Sequence, residues 1–474
     1  MNLNDLLSDL SSRDEIIITD NHRALTGKTF VQNVKNLSVT LDELGIRNKR
    51  TCLLRMTNSI DSVLLLFAAI VNQAVVLIAN PHDPIAKICD TLEKFSVFAL
   101  LTDRATSVTV EKKIQDNIEL QRSAIKHNEF FANLIPVNNC PITEFDYRMH
   151  DADIAIFSSG STGEPKAILH NIKNLLQNAH LHIESIGLSE QDNIGITLPL
   201  FYSYGLVANL FSGLIARSKI FLNFQIGSID ASWIKQNNIS VLSITPFIAK
   251  RLSHNFPSLK KITIGGDILY SSEARKLLNN YPNCAIYSTY GLTEAGPRVS
   301  TFKIESAVLN RSFIVPLGNA LNKVTISLEN DAMRGELWVN TPTHMLGYFS
   351  GREYGFTPQE NTLIKTGDLY EKKHGEFYFI GREKKIIFQG GEKLFPLVIE
   401  NAIHNIDGVS DVVVSSSQDK EKGEIAKAYI VANNDLTLQE IRKKLKQRLA
   451  RSLIPDQLEF VDYIPRSLTG KIRA

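Results

Sequence analysis

Residues 154–167, Ile-Ala-Ile-Phe-Ser-Ser-Gly-Ser-Thr-Gly-Glu-Pro-Lys-Ala, join a short apolar strand to a loop rich in glycine and hydroxyl side chains. Glycine lets the backbone approach an anion closely, and the loop N–H groups and hydroxyls together form a positively polarised cradle. The loop therefore predicts a phosphate site with Lys166 as a mobile cation, although a plain polar turn is the alternative. It is not a Walker loop, because Lys166 lies between Pro165 and Ala167.

The composition is that of a water-soluble globular protein. The chain has 474 residues, of which 22% are charged and 43% hydrophobic, with a formal net charge of +2. This length predicts roughly two to four domains or subdomains. The charge balance, without long blocks of one sign, gives no indication of a nucleic-acid partner. The four cysteines lie far apart, which argues against a zinc site or a disulfide framework and favours a reducing cytoplasmic location.

The sequence gives no sign of export or of a membrane span. Residues 1–7 contain an early acid and lack the basic start and apolar core of a signal peptide. The most hydrophobic stretch, residues 63–79, is interrupted by Asn72-Gln73 and is shorter than the roughly twenty residues that cross a bilayer. We predict a buried helix over Val63–Val71 and a buried strand over Ala74–Ala79.

Short apolar runs alternate with helical patterns over the first 330 residues, as in an α/β protein with parallel strands. A helix is predicted at Ser271–Leu278, where hydroxyl side chains precede good helix formers. The predicted strands are 51–56, 96–102, 193–198, 240–245 and 261–265. After about residue 315 the strands become shorter, as in 335–340 and 375–381, which predicts a β-rich subdomain. Beyond Arg382 we predict a small α+β domain with strands 409–415 and 426–431 and a helix over 438–449.

Four further segments each offer one group that a nucleoside triphosphate site needs. Residues 290–296 combine an aromatic ring with a hydroxyl and a carboxylate able to hold Mg²⁺ between phosphates; a helix N-terminus capped by Thr293 is the alternative. Asp368 follows a tight turn, where a carboxylate can accept both ribose hydroxyls, although Thr-Gly-Asp is often an ordinary turn. Arg382 follows a strand and either reaches ribose or phosphate or forms a surface ion pair. Lys471 lies on a glycine turn near the chain end, where most lysines are simply solvated.

In this order and at these spacings, the five segments resemble the adenylate-forming superfamily of acyl-CoA synthetases, firefly luciferase and the adenylation domains of nonribosomal peptide synthetases. The resemblance extends over nearly the whole chain, from residues 41–45 through Asn58-Ser59 and Asn80-Pro81 to Lys471. Agreement at all these positions is very improbable by chance.

The resemblance implies how ATP and Mg²⁺ are held. Glu294 would bind Mg²⁺, Thr162 would be a principal hydroxyl donor, and Lys471 would be the mobile catalytic lysine between the carboxylate and the α-phosphate. A cation placed where negative charge accumulates lowers the barrier for joining two anions. The implied nucleotide contacts are Ser158, Ser159, Gly160, Ser161, Thr162, Gly163 and Lys166 at the β- and γ-phosphates, Gly265, Gly266 and Tyr290 at adenine, Thr293 at the α-phosphate, and Asp368 and Arg382 at ribose.

The resemblance also implies two domains and a second half-reaction. The N-terminal AMP-binding domain would span residues 1–383, and a small mobile α+β domain would span 384–474. Rotation at the hinge residue Lys384 would remove Lys471 from the site, so that a thiol can attack the acyl-adenylate. Room for the pantetheine arm of coenzyme A, or of a phosphopantetheinyl carrier protein, would be left by two small residues, Gly390 and Gly391.

The predicted acid pocket departs from the family pattern. Residues 199–206 resemble the acyl-pocket segment of acyl-CoA and aryl-acid ligases, but Tyr202 stands where many of them carry His. The segment contains no carboxylate to pair with an ammonium group, so an α-amino acid substrate is disfavoured. The predicted pocket residues, which suit an aryl or medium-sized acyl carboxylate, are Phe201, Tyr202, Ser203 and Tyr204. The alternative is that the aromatic residues among them belong to the hydrophobic core. Arg298 either meets a second acid group or lies at the surface.

Three smaller departures concern other parts of the site. Ala167 replaces a common glycine, which should preserve the loop. Asp267 follows Gly265-Gly266, where uncharged residues are common, and it faces either adenine or the acid pocket. Val398 replaces the first of two alternating acids, which leaves Glu400 alone and affects the contacts of the C-terminal domain.

We therefore expect an ATP-dependent acid–thiol ligase, which converts a carboxylate and ATP into acyl-AMP and pyrophosphate and passes the acyl group to a pantetheine thiol. The expected partners are a small carboxylic acid and coenzyme A. A stand-alone adenylation enzyme that loads a separate carrier protein remains an alternative. A non-catalytic homologue is a third possibility, against which the retained Lys471, Glu294 and Asp368 argue. The sequence does not identify the acid.

Overall fold

The computed structural model describes residues 1–103, 151–158, 166–252, 256–351, 355–433, 435–466 and 472, and only the backbone of Ser158 and of strands 123–127 and 130–136. The α-helices span Leu3–Ser11, Gly27–Glu43, Ile60–Val71, Ile85–Lys94, Ile172–Ile186, Ser203–Gly205, Ser212–Ile215, Ala231–Gln236, Pro246–Ala249, Ser271–Asn280, Pro396–His404 and Leu438–Arg448. A π-helical turn, Leu206–Phe211, joins two of them. Across these parts of the chain, no helix combines the length and apolar character needed to cross a bilayer.

The first sheet has nine strands and contains the strand that precedes the glycine-rich loop. Its four central strands are parallel and the outer ones antiparallel. In spatial order the strands are Phe356–Pro358, Gly347–Phe349, Lys166–His170, Ile154–Ser158, Val75–Ala79, Thr51–Arg55, Ala99–Asp103, Phe130–Pro136 and Ser123–His127.

The second sheet also has nine strands, six of which are parallel. In spatial order they are Asn319–Ala320, Arg298–Lys303, Ala285–Gly291, Lys261–Gly265, Val241–Ile244, Asn193–Ile196, Lys219–Leu222, Ile16–Thr19 and Ala24–Thr26. Ligands of open α/β sheets bind beyond the carboxyl ends of such strands. The residues that follow 193–196, 261–265 and 285–291 are therefore placed to form a site.

The two sheets share one hydrophobic core around the helix Ile60–Val71, which is buried along most of its length. The prediction of a helix and a strand over residues 63–79 is confirmed. The helix begins three residues earlier than predicted, because the Ser59 hydroxyl caps it by accepting a hydrogen bond from the Ser62 N–H. The strand predicted from residue 96 begins at Ala99 instead, because Ser96 has a left-handed φ of 52° and ends the preceding helix.

The predicted β-rich subdomain is a four-stranded antiparallel sheet with the strand order Thr325–Leu328, Arg334–Asn340, Leu363–Lys373 and Glu376–Arg382. Beyond it, the chain forms a 3₁₀ turn at Glu383–Lys385, where the expected domain boundary falls. The small C-terminal unit has its own core beneath a hairpin, Ile387–Gln389 and Glu392–Leu394, and a three-stranded sheet, Val409–Asp419, Gly423–Ala432 and Gln457–Phe460. The expected class is thereby confirmed: α/β, with a large N-terminal part and a smaller α+β C-terminal part.

Candidate active site

The two strands that flank the glycine-rich segment in the sequence pair with each other in the first sheet. Strand Ile154–Ser158 pairs with Lys166–His170, and Ser158 lies opposite Lys166. The Ser158 side chain and the predicted contacts Ser159, Gly160, Ser161, Thr162 and Gly163 lie outside the described residues, as does Lys471. The hairpin fixes where this loop starts and ends, which is at the edge of the site described below.

The end of the hairpin next to the loop is linked through one tyrosine to Glu294, which follows a strand of the second sheet. The Lys166 ammonium lies 5.7 Å from the centre of the Tyr348 ring, and the Tyr348 hydroxyl donates a hydrogen bond of 3.0 Å to the Glu294 carboxylate. Burial raises the pKa of Tyr348, and the adjacent carboxylate adds to the rise. Tyr348 therefore stays protonated and acts as a donor that orients Glu294.

The turn that carries Thr293 and Glu294 is held from both sheets. Thr293–Ala295 form a 3₁₀ turn, and the Thr293 hydroxyl lies 3.0 Å from that of Ser203. The buried His170 places Nε2 2.8 Å from the Thr293 carbonyl. Burial lowers the pKa of His170 to about 4, so the ring is neutral and, because a carbonyl only accepts, carries its proton on Nε2. The turn begins at Thr293 and its N-cap residue is Leu292, so the alternative in which Thr293 caps a helix is wrong.

A buried carboxylate, Asp368, lies next to the aromatic ring predicted to face adenine. The Tyr290 hydroxyl donates to one Asp368 oxygen at 2.7 Å, and Arg382 Nε lies 2.8 Å from the other. Burial raises the pKa of Tyr290 well above its usual range, and Tyr370 and Asp368 raise it further, so the hydroxyl remains a donor. The predicted ion pair of Arg382 therefore exists, and its partner is the predicted ribose contact.

Glycine at 265 is required by close packing. A Cβ atom there would lie 2.6 Å from the Thr289 hydroxyl and 3.1 Å from the Tyr204 ring. Gly266 has a φ of +88° and is exposed. The pair therefore forms a flat, side-chain-free ledge at the carboxyl end of its strand, next to Tyr204.

The four predicted acid-pocket residues differ in their surroundings. Phe201 is buried in the main core and contacts the half-buried Tyr202 at 4.6 Å between ring centres. Ser203 contacts Thr293, as described above. The Tyr204 hydroxyl donates to the Thr263 carbonyl at 3.1 Å, which fixes the ring beside the Gly265 ledge. Ser203 and Tyr204 thus contact the predicted nucleotide residues directly, whereas Phe201 packs as a core residue.

Arg298 does not lie at the surface, so that alternative is wrong. Its side chain is 3% exposed, and its guanidinium stacks 3.7 Å above the Tyr204 ring and donates to the Thr289 hydroxyl at 2.7 Å. The strand Arg298–Lys303 turns back antiparallel to Ala285–Gly291, which carries the side chain inward. A buried arginine thus lies against the predicted acid pocket.

Two known family models match the sequence of this chain. Residues 10–349 match the model for AMP-binding enzymes, and residues 398–471 match that for the C-terminal domain of AMP-binding enzymes. The chain belongs to the AMP-binding enzyme family. The expected resemblance to adenylate-forming enzymes is therefore confirmed.

One curated relative of this AMP-binding enzyme is named as a CoA ligase and another as a CoA ligase-like protein. The 2-succinylbenzoate–CoA ligase of Bacillus licheniformis is 24% identical over 97% of this chain and 95% of its own length. The 4-coumarate–CoA ligase-like 9 protein of Arabidopsis thaliana is 25% identical over 94% of this chain and 83% of its own length. Both names agree with the expected class, an AMP-forming acid–thiol ligase.

Solved structures of similar fold support the architecture of this AMP-binding enzyme. The o-succinylbenzoate CoA synthetase of Bacillus subtilis, in complex with its acyl-adenylate intermediate, superposes with a TM-score of 0.79 at 22% identity and covers 98% of this chain and 96% of its own. The anthranilate CoA ligase AuaEII, in complex with anthranoyl-AMP, gives 0.81 at 19% identity with coverage of 100% and 95%.

The remaining predicted residues are exposed. The Asp267 carboxylate accepts the Ile268 N–H at 2.8 Å, and it lies close enough to Arg382 and Glu400 for its charge to act on both. Lys384 lies in the exposed 3₁₀ turn at the expected hinge. The two glycines of the predicted thiol channel, Gly390 and Gly391, lie in an exposed hairpin turn, both at positive φ.

Two buried polar residues of the helix Ile172–Ile186 were not predicted. Asn178 accepts the Arg298 N–H at 2.8 Å and donates to its carbonyl at 2.9 Å, so it fixes the Arg298 backbone. His182 is fully buried one turn further along. Both lie on the apolar face of this helix, where a polar residue at three- or four-residue spacing is the signal that could have revealed them.

Proposed function

We propose that this protein is an ATP-dependent acid–thiol ligase that forms an acyl-AMP from a carboxylic acid and transfers the acyl group to a pantetheine thiol. The observation that carries the proposal is the Asp368 carboxylate. Each of its oxygens has one protein partner, Tyr290 or Arg382, and an oxygen of an ionised carboxylate can accept a second hydrogen bond. Two acceptor positions side by side suit the two hydroxyls of a ribose.

The other nucleotide contacts are consistent with this position of the ribose. Gly265-Gly266 would lie along the adenine, and the glycine-rich loop with Lys166 would surround the β- and γ-phosphates. Tyr348 occupies one oxygen of Glu294, and the other has no partner among the described residues, so it would bind the Mg²⁺ that accompanies ATP. Thr293 would contact the α-phosphate that the acid attacks.

The acid and the thiol follow from the remaining residues. Ser203, Tyr204 and the half-buried Tyr202 would line an acid pocket suited to an aryl or acyl carboxylate. We assign residues 384–474 to a mobile domain that delivers Lys471 in the first half-reaction and Gly390 and Gly391 in the second. Coenzyme A is the proposed acceptor because the curated relatives are named as CoA ligases. The proposed location is the cytoplasm, where both cosubstrates are present.

Carboxylate-dependent exchange of labelled pyrophosphate into ATP tests the first half-reaction. Purified protein should exchange with a subset of aryl and acyl acids, whereas Lys471→Ala should lower the rate by about two to three orders of magnitude, as for loss of other groups that stabilise a transition state. Exchange with α-amino acids alone would overturn the substrate assignment. No exchange with any acid would favour a non-catalytic homologue.

A thiol-acceptor assay then tests the second half-reaction. With an acid that supports exchange, release of AMP should depend on coenzyme A and produce an acyl thioester. If AMP release instead requires a phosphopantetheinylated carrier protein, the protein is a stand-alone loading enzyme and the acceptor proposed here is wrong.

A further inference from the structure

The Arg298 guanidinium is buried without an acid partner. Arginine has five N–H donors, and among the described residues only Nη1 has a hydrogen-bond acceptor, the Thr289 hydroxyl. Nε and Nη2 have none, and no carboxylate of the described chain forms an ion pair with this residue. Buried charges in proteins are normally paired, because removing a cation from water is costly.

The aromatic ring below the guanidinium does not replace a counter-ion. Stacking on Tyr204 at 3.7 Å stabilises the guanidinium, but by less than the burial of an ion costs. The arrangement is nevertheless firmly built. Asn178 holds the Arg298 backbone through both its N–H and its carbonyl, and Thr289 holds one end of the guanidinium.

The two unpartnered nitrogens form a chemically specific pair. The Nε–H and one Nη2–H lie on the same side of the planar guanidinium, and such a fork matches the two oxygens of a carboxylate. A single hydroxyl or carbonyl oxygen would have to share its two lone pairs between both donors, whereas a carboxylate offers one oxygen to each. The second buried group nearby, His182, has an Nδ1 without a partner among the described residues, and burial together with the Arg298 charge lowers the pKa of His182 well below its usual range. A neutral imidazole there adds no competing cation.

The guanidinium also lies within the proposed site. Tyr204, on which it stacks, belongs to the acid-pocket segment and lies against Gly265, at the predicted adenine ledge. Ser203, the neighbour of Tyr204, contacts Thr293, at the predicted α-phosphate. A substrate whose reacting carboxylate lies near Thr293 therefore extends toward Arg298.

We propose that the acid substrate carries a second carboxylate, remote from the one that is activated, and that Arg298 binds this group through Nε and Nη2. The inference rests on the proposed ligase function and assigns its substrate class. It also explains why an ammonium-bearing substrate is unsuitable, since the pocket lacks an anion and already contains a cation.

Pyrophosphate exchange with matched acid pairs tests the proposal. Each pair has the same skeleton with and without the second carboxylate, for example adipate against hexanoate and the three benzenedicarboxylates against the toluates. The intact protein should prefer at least one diacid over its monoacid partner by tenfold or more in kcat/KM. Arg298→Met should raise the KM for that diacid by about 100-fold with a smaller change in kcat, as expected on removing one partner of a buried charge pair.

Two controls separate this role from a structural one. Arg251→Met removes an exposed arginine that also stacks on an aromatic ring, Phe247 at 4.3 Å, and should leave the preference unchanged. The thermal midpoint of Arg298→Met should equal or exceed that of the intact protein, because an unpaired buried charge has been removed. A lower midpoint together with an unchanged acid preference would overturn the proposal.

The outcomes also distinguish this inference from the ligase function on which it rests. Exchange with monoacids alone, or equal use of both members of every pair, would refute the second carboxylate and leave the ligase intact. Absence of exchange with every acid would refute the ligase itself.

Discussion

Tyr290 of the second sheet and Tyr378 of the four-stranded sheet differ in what their hydroxyls contact. The Tyr290 hydroxyl donates to Asp368, whereas the Tyr378 hydroxyl has no hydrogen-bond partner among the described residues. Tyr378 is 4% exposed, so its hydroxyl has lost water without compensation. The same deletion of one oxygen should therefore have opposite effects at the two positions.

Tyr290→Phe should lower the free energy of unfolding by about 1–2 kcal/mol, because it leaves the buried Asp368 carboxylate one donor short. Tyr378→Phe, the matched control, should be neutral or slightly stabilising. Urea-induced unfolding of both variants beside the intact protein measures this. Equal destabilisation by both changes would contradict the assignment of the Tyr290 hydroxyl as an essential donor.

At the ends of the parallel strands, side-chain volume is limited by the neighbouring strand. Strand Lys261–Gly265 ends where Thr289 of the next strand comes so close that only glycine fits. By contrast, a Cβ atom on Gly335, in the four-stranded sheet, would make ordinary contacts of 3.6 Å or more. Neither glycine has a positive φ, so the comparison isolates packing from backbone strain.

Gly265→Ala should destabilise the protein by about 1–3 kcal/mol, the usual cost of overpacking, and should weaken nucleotide binding because strand Ala285–Gly291 must shift. Gly335→Ala should change stability by no more than about 0.5 kcal/mol. Thermal unfolding and titration with ATP measure the two effects. Unchanged ATP affinity in Gly265→Ala would show that the ledge does not adjoin the nucleotide.

Much of this fold could be predicted from the sequence, because its buried strands have a local hydrophobic pattern. Strands such as Lys261–Gly265 are buried on both faces, so they appear in the sequence as continuous β-branched runs. The burial of Arg298 could not be predicted, since it depends on the pairing of its strand with Ala285–Gly291 and on Asn178 from a distant helix. Motif spacing identified Asp368 and Arg382, but their direct contact with each other depends on strand register.

The helix Pro396–His404 of the C-terminal unit contacts the rest of the chain. His404 stacks on Tyr270 with ring centres 5.1 Å apart, and Leu397 belongs to a small apolar cluster with Ile314 and Tyr378. Glu400 lies between them on the same helix and accepts the Val414 N–H at 2.8 Å. Glu400, the one acid of the family pair that this chain retains, therefore lies near the contact between the C-terminal unit and the rest of the chain.

Burial raises the pKa of Glu400 to about 7, and Asp267 adds to the rise, while the Val414 N–H, Lys385 and Arg466 oppose it. Since the folded pKa exceeds the ordinary value of 4.5, the protonated form stabilises the fold, fully below pH 4.5 and progressively less as the pH rises through 7.

Between pH 4.5 and pH 7, the free energy of unfolding of the intact protein should fall by up to about 3 kcal/mol relative to that of Glu400→Gln. The glutamine keeps the acceptor for the Val414 N–H and cannot ionise. Urea unfolding at half-unit pH intervals gives the difference. The exposed Glu392→Gln should follow the intact protein at every pH. If Glu400→Gln does the same, Glu400 is already ionised throughout this range in the folded state.

The proposed phosphate loop and the proposed acid pocket belong to different sheets, joined at the site through Tyr348 and Glu294. Mutations that reshape residues 199–206 or Arg298 leave the hairpin Ile154–His170 and its neighbours in place. In evolution, the proposed acid pocket can therefore diverge while the proposed phosphate loop is kept. A recombinant that exchanges only residues 199–206 would therefore change the proposed acid pocket and keep the proposed phosphate loop of its parent.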